Sequence, residues 1–212
     1  MATAQTITLA GPAGRIEAVL HLPDADAQRW QDVRAIAVVA HPLPTMGGTM
    51  DNKIVTTLAK TFAELGFATL RFNFRGVGNS CGAFDSGNGE VEDMLAVVEH
   101  AKEAFGHLPL IMAGFSFGGY VAARAATHVH PQPHKLVLVG PAVGRFAMPN
   151  VPHNSLIIHG ELDEVIPLSE ALDWARPQHM PIVVFPEAGH FFHGRLSQLK
   201  QVVMKEFDGC SL

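Results

Sequence analysis

Ser116 stands between Gly114 and Gly118 in a G-x-S-x-G arrangement, after the short apolar run 110–113 and before an alanine-rich stretch at 120–128. A serine on a sharp strand-to-helix turn adopts strained backbone angles, and small flanking residues avoid clashes there. Such a turn lifts Oγ to the carboxyl ends of the strands and aims the N–H of the next residue, Phe117, at the same spot. A serine hydroxyl becomes a useful nucleophile only when a base takes its proton and a carboxylate orients that base. Two later segments supply both. Residues 157–163 run into Asp163, with Glu161 and Glu164 beside it, and residues 185–190 end on His190, with His193 three positions further on. The chemistry open to Ser116, Asp163 and His190 together is acyl transfer through a covalent intermediate. It requires neither a cofactor nor a metal. Because the neutral imidazole is the base, activity is expected to rise with pH as that ring loses its proton.

Other chemistries fit less well. Lys and Arg number 15 against 20 Asp and Glu, for a net charge of −5, so there is no basic footprint for phosphates and nucleic acid is not expected as a partner. Gly47 and Gly48 could cradle a phosphate by composition, but the G-x-x-x-x-G-K-[ST] pattern is missing. The 12 histidines show no HExxH-like spacing, which argues against a zinc site. Cys81 and Cys210 form no CxxC pair and read as free thiols in a reducing compartment. The amino terminus has no basic segment followed by an apolar one, and apolar runs such as 35–40 and 136–139 are far too short to span a bilayer. A cytoplasmic protein with no membrane partner is expected.

The elements that must position these residues alternate. Runs at 36–40, 67–74, 110–113, 135–139, 155–158 and 182–185 read as strands. Helical spacing appears at 52–65, 90–105, 120–128, 168–174 and 195–207. Residues 6–9 and 16–22 read as an antiparallel pair around the turn 11–14. Strand–helix alternation implies a doubly wound, mostly parallel sheet, because parallel strands need crossover helices and bury both faces. A length of 212 residues, with 48% hydrophobic and 17% charged, suits one α/β domain spanning residues 1–212. The most polar loop is 24–34. The low charge content leaves room for a homodimer.

The chain resembles the small, lidless, dienelactone-hydrolase-like α/β-hydrolases. The resemblance is carried by His41-Pro-Leu-Pro44 with Gly47, Gly48, Asn52 and Lys53; by Arg71-Phe-Asn-Phe-Arg-Gly-Val-Gly-Asn-Ser80; and by Gly114-Phe-Ser-Phe-Gly-Gly119. His159-Gly-Glu-Leu-Asp-Glu-Val-Ile-Pro167 and Ala188-Gly-His-Phe-Phe-His-Gly194 complete the set, spread over residues 35–194. The nucleophile position holds Ser where dienelactone hydrolases proper use Cys, so their substrate does not carry over.

The resemblance implies an α/β-hydrolase fold with the chain order Ser, Asp, His. Its HG-x-x-D pattern selects Asp163 over Glu161 and Glu164, which are then solvated loop charges, and its G-H pattern selects His190 over His193. It also implies that the Leu43 N–H joins the Phe117 N–H in an oxyanion hole; Pro42 and Pro44 restrict that backbone in advance. His41 reads as a structural residue at a strand end, and Asn73 and Arg75 as braces of nearby loops. Only residues 141–154 separate two strands where larger hydrolases insert a cap, so no cap domain is expected. The site should be open and shallow, suited to esters or thioesters of small or exposed acyl groups. A ligand-binding module without turnover, an acyltransferase and a peptidase are the alternatives.

Overall fold

A computed structural model describes residues 3–23 and 33–208. Most of the polar loop expected at 24–34, and Cys210, lie outside the described residues. The strands are β1 (Thr3–Gly11), β2 (Gly14–Leu22), β3 (Ala35–Ala40), β4 (Phe67–Phe72), β5 (Leu110–Phe115), β6 (Lys135–Val139), β7 (Leu156–Gly160) and β8 (Val183–Phe185). The helices are α1 (Lys53–Glu64), α2 (Asn88–Phe105), α3 (Phe117–Ala126), α4 (Leu168–Ala175) and α5 (Leu196–Glu206).

All eight strands form one sheet in the order β1-β2-β4-β3-β5-β6-β7-β8. The pairs β1–β2 and β2–β4 are antiparallel, and every later pair is parallel. The expected doubly wound sheet with an antiparallel amino-terminal pair is present.

Alternation along the strands splits the core into two. Ile36, Val38 and Ala40 of β3 face α2, α3 and α4, with Met94, Val98, Val121 and Ala171. Ala35, Ala37 and Val39 face α1 and α5, with Leu58, Phe62, Leu199 and Val203. Every residue of β3 is buried, which is why its sequence reads as a continuous apolar run rather than an alternating one.

Local signals explain several boundaries. Asn52 caps α1, its side-chain oxygen accepting from the Ile54 N–H at 2.9 Å. Strand β4 ends at Phe72, two residues short of its sequence-based end. The Asn73 N–H still reaches β2, donating to the Glu17 carbonyl at 2.9 Å, but the Phe74 N–H leaves the sheet for His41 at 3.1 Å.

The parallel pairings hold the carboxyl ends of the strands in line. Ala40 is opposite Gly114, Phe115 opposite Val139, Val139 opposite Ile158, and Gly160 opposite Phe185. The loops after β3, β5, β6, β7 and β8 therefore emerge along one edge. Between Val139 and Leu156, a segment described throughout, no helix or strand intervenes.

Candidate active site

Ser116 lies between β5 and α3 with φ 55° and ψ −118°. A positive φ is costly for a residue with a β-carbon, by about 1–3 kcal/mol, so the surroundings must enforce it. They do so by close packing. A β-carbon on Gly114 would strike the Gly118 carbonyl and lie 2.5 Å from the Gly119 nitrogen, while one on Gly118 would lie 2.6 Å from the His41 carbonyl oxygen. Strand, turn and helix are thereby pressed against β3, and the Ser116 N–H is fixed on the Val139 carbonyl at 2.9 Å. Helix α3 begins at Phe117 rather than at Tyr120. The Phe117 N–H, first in the helix, has no partner within it and stays available at the turn.

Asp163 follows β7 in a tight turn of its own making. Its Oδ1 accepts from the Val165 and Ile166 N–H groups at 2.9 and 2.7 Å, and its Oδ2 meets His190 Nδ1 at 2.7 Å. Burial alone would raise this carboxyl, but the His190 ring and the two backbone donors outweigh it and hold it below the usual carboxylate range. A charged Asp163 makes Nδ1 the protonated ring nitrogen and leaves the Nε2 lone pair free to act as base. The ring sits between Phe115 and Phe191, with centroids 4.8 and 5.2 Å away. A β-carbon on Gly140 would touch the ring at 3.4 Å and Asp163 Oδ2 at 3.6 Å, so that glycine forms the floor beneath the pair.

Ser116, His190, Phe117 and Leu43 line one cavity of about 790 Å³. That is within the range of small-molecule sites and roomier than the shallow cleft expected from the sequence. Phe146, from the segment between β6 and β7, is also on its wall and packs on the Phe117 ring at 5.1 Å. Met46, 82% exposed, and Phe191, 44% exposed, stand at its rim. Leu43 has φ −54° and ψ 120°, and its carbonyl accepts from the Met46 and Gly48 N–H groups at 3.1 and 3.0 Å.

His41 is structural, as its position suggested. It is fully buried, its Nε2 accepts from the Phe74 N–H at 3.1 Å, and its Nδ1 meets the Pro42 carbonyl at 2.6 Å. Burial lowers its pKa to about 4, partly offset by that carbonyl, so the ring is neutral and ties the Leu43 loop to the chain after β4. Asn73 and Arg75 are braces. The Asn73 side chain joins the Met50 N–H to Glu17 at 2.9 and 2.8 Å, and Arg75 pairs with buried Asp93 at 2.9 Å. His193 is exposed against Phe191.

Two findings lay beyond the sequence reading. His159, on β7, is completely buried behind the acid, with Nε2 at 2.8 Å from the Ile166 carbonyl, 3.5 Å from Asp163 Oδ2, and Nδ1 unpartnered. Burial holds its pKa below the ordinary value. Glu161 and Glu164 are exposed, as expected, yet each binds a backbone N–H of the His190 loop, Glu187 at 2.9 Å and His190 at 3.2 Å. A carboxylate paired across 26 residues leaves no local signal, so neither contact could be read from spacing. Among the described residues no group of three or more His, Cys, Asp or Glu side chains could hold a metal, and no helix is long and apolar enough to cross a membrane.

Comparison with known proteins agrees with this fold. The model of a hydrolase family described as serine aminopeptidase, S33, matches residues 31–181, which takes in Ser116 and Asp163 and stops before His190. A crystal structure of an α/β serine hydrolase without a lid from Xanthomonas campestris is similar, with 37% identity, TM-score 0.89, and coverage of 97% of this chain and 94% of its own. An α/β serine hydrolase homologue from Coxiella burnetii is 36% identical with TM-score 0.82, covering 95% of this chain and 96% of its own. An uncharacterized protein of Rickettsia prowazekii is 29% identical, over 91% of this chain and 84% of its own length.

Proposed function

We propose the following reaction for this chain, which belongs to the hydrolase family described as serine aminopeptidase, S33. It cleaves carboxylic esters or thioesters of small or exposed acyl groups through an acyl-enzyme. The observation that carries this reading is a serine held at a left-handed turn, facing the same cavity as a histidine whose other ring nitrogen is bound to a buried carboxylate.

His190 Nε2 takes the Ser116 Oγ proton as Oγ bonds to the acyl carbon. Asp163 stabilises the resulting imidazolium. The carbonyl oxygen, now an anion, is held by the N–H groups of Phe117 and Leu43; a donor of this kind contributes roughly 3–4 kcal/mol in the transition state. Collapse breaks the bond to the alcohol or thiol, which leaves with the proton from His190. Water then gives a proton to His190, attacks the acyl carbon, and releases the acid and the free Ser116 hydroxyl.

This reading takes residues 1–212 as one catalytic domain in the cytoplasm, acting on a small molecule without cofactor, nucleic acid or membrane. The family's description favours a second reading, cleavage of an aminoacyl amide by the same steps. A fluorophosphonate probe followed by peptide mapping tests the nucleophile, with modification expected at Ser116; intact, unmodified folded protein would favour a binding module. Rates on p-nitrophenyl esters of increasing acyl length, beside aminoacyl p-nitroanilides, separate the substrates. Short esters are expected to react fastest, and preference for long chains or anilides would overturn the assignment to small esters.

A further inference from the structure

We infer that Glu164 is a positioning residue for His190, and that Gly189 is a glycine because a side chain there would displace the Glu164 carboxylate. This inference rests on the proposed role of His190 as base.

His190 is carried by the loop between β8 and α5, which contains two non-glycine residues at positive φ, Glu187 at 58° and Phe192 at 49°. Backbone of that kind holds one shape only when outside contacts dictate it. The contacts come from the segment after β7. The Glu161 and Leu162 N–H groups donate to the Phe185 and Ala188 carbonyls at 3.0 and 2.9 Å. Each of the three acids in that segment takes a different group of the histidine loop. Glu161 accepts from the Glu187 N–H at 2.9 Å, Asp163 from the His190 ring at 2.7 Å, and Glu164 from the His190 backbone N–H at 3.2 Å.

The last two contacts divide the work. Asp163 at Nδ1 and the flanking Phe115 and Phe191 rings fix the imidazole end, but none of them holds the backbone that carries it. Holding the backbone N–H as well fixes the Cα end, and with both ends fixed Nε2 has one position over the cavity. Glu164 can do this without adjustment because its neighbours on both sides are held, Asp163 by His190 and Val165 by Asp163 Oδ1.

The independent observation is at Gly189. A β-carbon there would lie 2.8 Å from Glu164 Oε2, and its next nearest neighbours are the other carboxylate atoms, at 3.6 and 3.7 Å. The φ of Gly189 is not in the left-handed region, so alanine is not excluded by backbone angle. A methyl group at this position would push one carboxylate aside and disturb little else.

Four variants test the inference: Glu164→Ala, Glu164→Gln, Gly189→Ala and the double alanine variant. In p-nitrophenyl butyrate hydrolysis, Glu164→Ala and Gly189→Ala should each lose kcat by on the order of 10-fold, since displacing a reacting group by a fraction of an ångström is that costly, with KM within about twofold. The double variant should match the single ones, and Glu164→Gln, which keeps an acceptor oxygen, should recover most of the rate. An unchanged kcat, a change confined to KM, an additive double variant or a glutamine no better than alanine would each overturn it. To separate this from failure of the proposed reaction, the His190 amide is followed by NMR in inactive Ser116→Ala protein. Its resonance should shift and its hydrogen exchange quicken with Glu164→Ala and Gly189→Ala but not with Glu164→Gln. No shift would refute the positioning role whatever the enzyme hydrolyses.

Discussion

Gly118 and Ala40 are so close that a β-carbon on the first would fall inside the carbonyl oxygen of the second. The contact joins α3 to β3, and so sets the distance between the Phe117 N–H and the loop that bears Leu43. Gly118→Ala is expected to destabilise the fold by several kcal/mol, because the obstructing atoms are backbone and cannot rotate away. Urea unfolding measures it; a loss below about 1 kcal/mol would show that helix and strand can separate cheaply.

Removing the nucleophile should have two separable effects. Ser116→Ala is expected to abolish fluorophosphonate labelling and to lower kcat by roughly 10³-fold or more, with an unchanged fold. Ser116→Gly should be equally inactive yet more stable than the alanine variant by about 1 kcal/mol, since glycine tolerates φ 55°. Thermal unfolding of the two proteins decides the second point.

Leu43 allows a backbone N–H to be deleted by mutation. Its φ of −54° is one proline adopts, so Leu43→Pro removes the donor with little change of angle. The expected loss in kcat is roughly 10²–10³-fold relative to Leu43→Ala, which controls for the side chain. Equal rates for the two would remove Leu43 from the oxyanion hole.

Asp163→Asn keeps the shape of the acid but lets an amide N–H face the ring, favouring the wrong tautomer of His190. A drop in kcat approaching 10⁴-fold is expected. Steady-state rates on one ester suffice, and a loss under about tenfold would mean that another group orients the base.

Stability should depend on pH through His41. Above pH 6.5 the ring is neutral in both the folded and the unfolded chain, and the fold neither gains nor loses. Below that, only the unfolded chain takes up the proton, so stability falls by up to about 1.4 kcal/mol per pH unit until the folded ring titrates near pH 4. His21, also lowered to about 4 by burial beside Arg71, adds to the same window. The lowered Asp163 carboxyl acts only below its ordinary value of 3.8. His41→Gln should flatten the slope between pH 6.5 and 4 in urea titrations; an identical slope would show that the buried ring can be protonated in place.

The parts of the site legible in the sequence are those encoded locally. Glycines on either side of Ser116, and an acid and a histidine just beyond apolar runs, report strand ends because each is forced by the turn it occupies. The start of α3 is less legible, since Gly118 and Gly119 look like helix breakers when read alone. Both lie inside the helix, Gly118 where the Ala40 and His41 carbonyls leave no room for a side chain and Gly119 where Pro141 would press on one at 3.3 Å. The end of β4 is hidden for a similar reason, as Phe74 is apolar enough for a strand but gives its N–H to His41, 33 positions away. The backbone contacts of Glu161 and Glu164 and the burial of His159 depend on the meeting of β7 with β8, which no local pattern expresses.

The short link between β6 and β7 also bears on kinetics. Among the described residues no helix or strand between β6 and β7 must swing aside before a molecule can enter, so progress curves should start at full speed, with no lag and no jump in rate when substrate forms droplets or micelles. Selectivity would then have to come from the fixed walls around Leu43 and Phe146, sampled anew at every encounter.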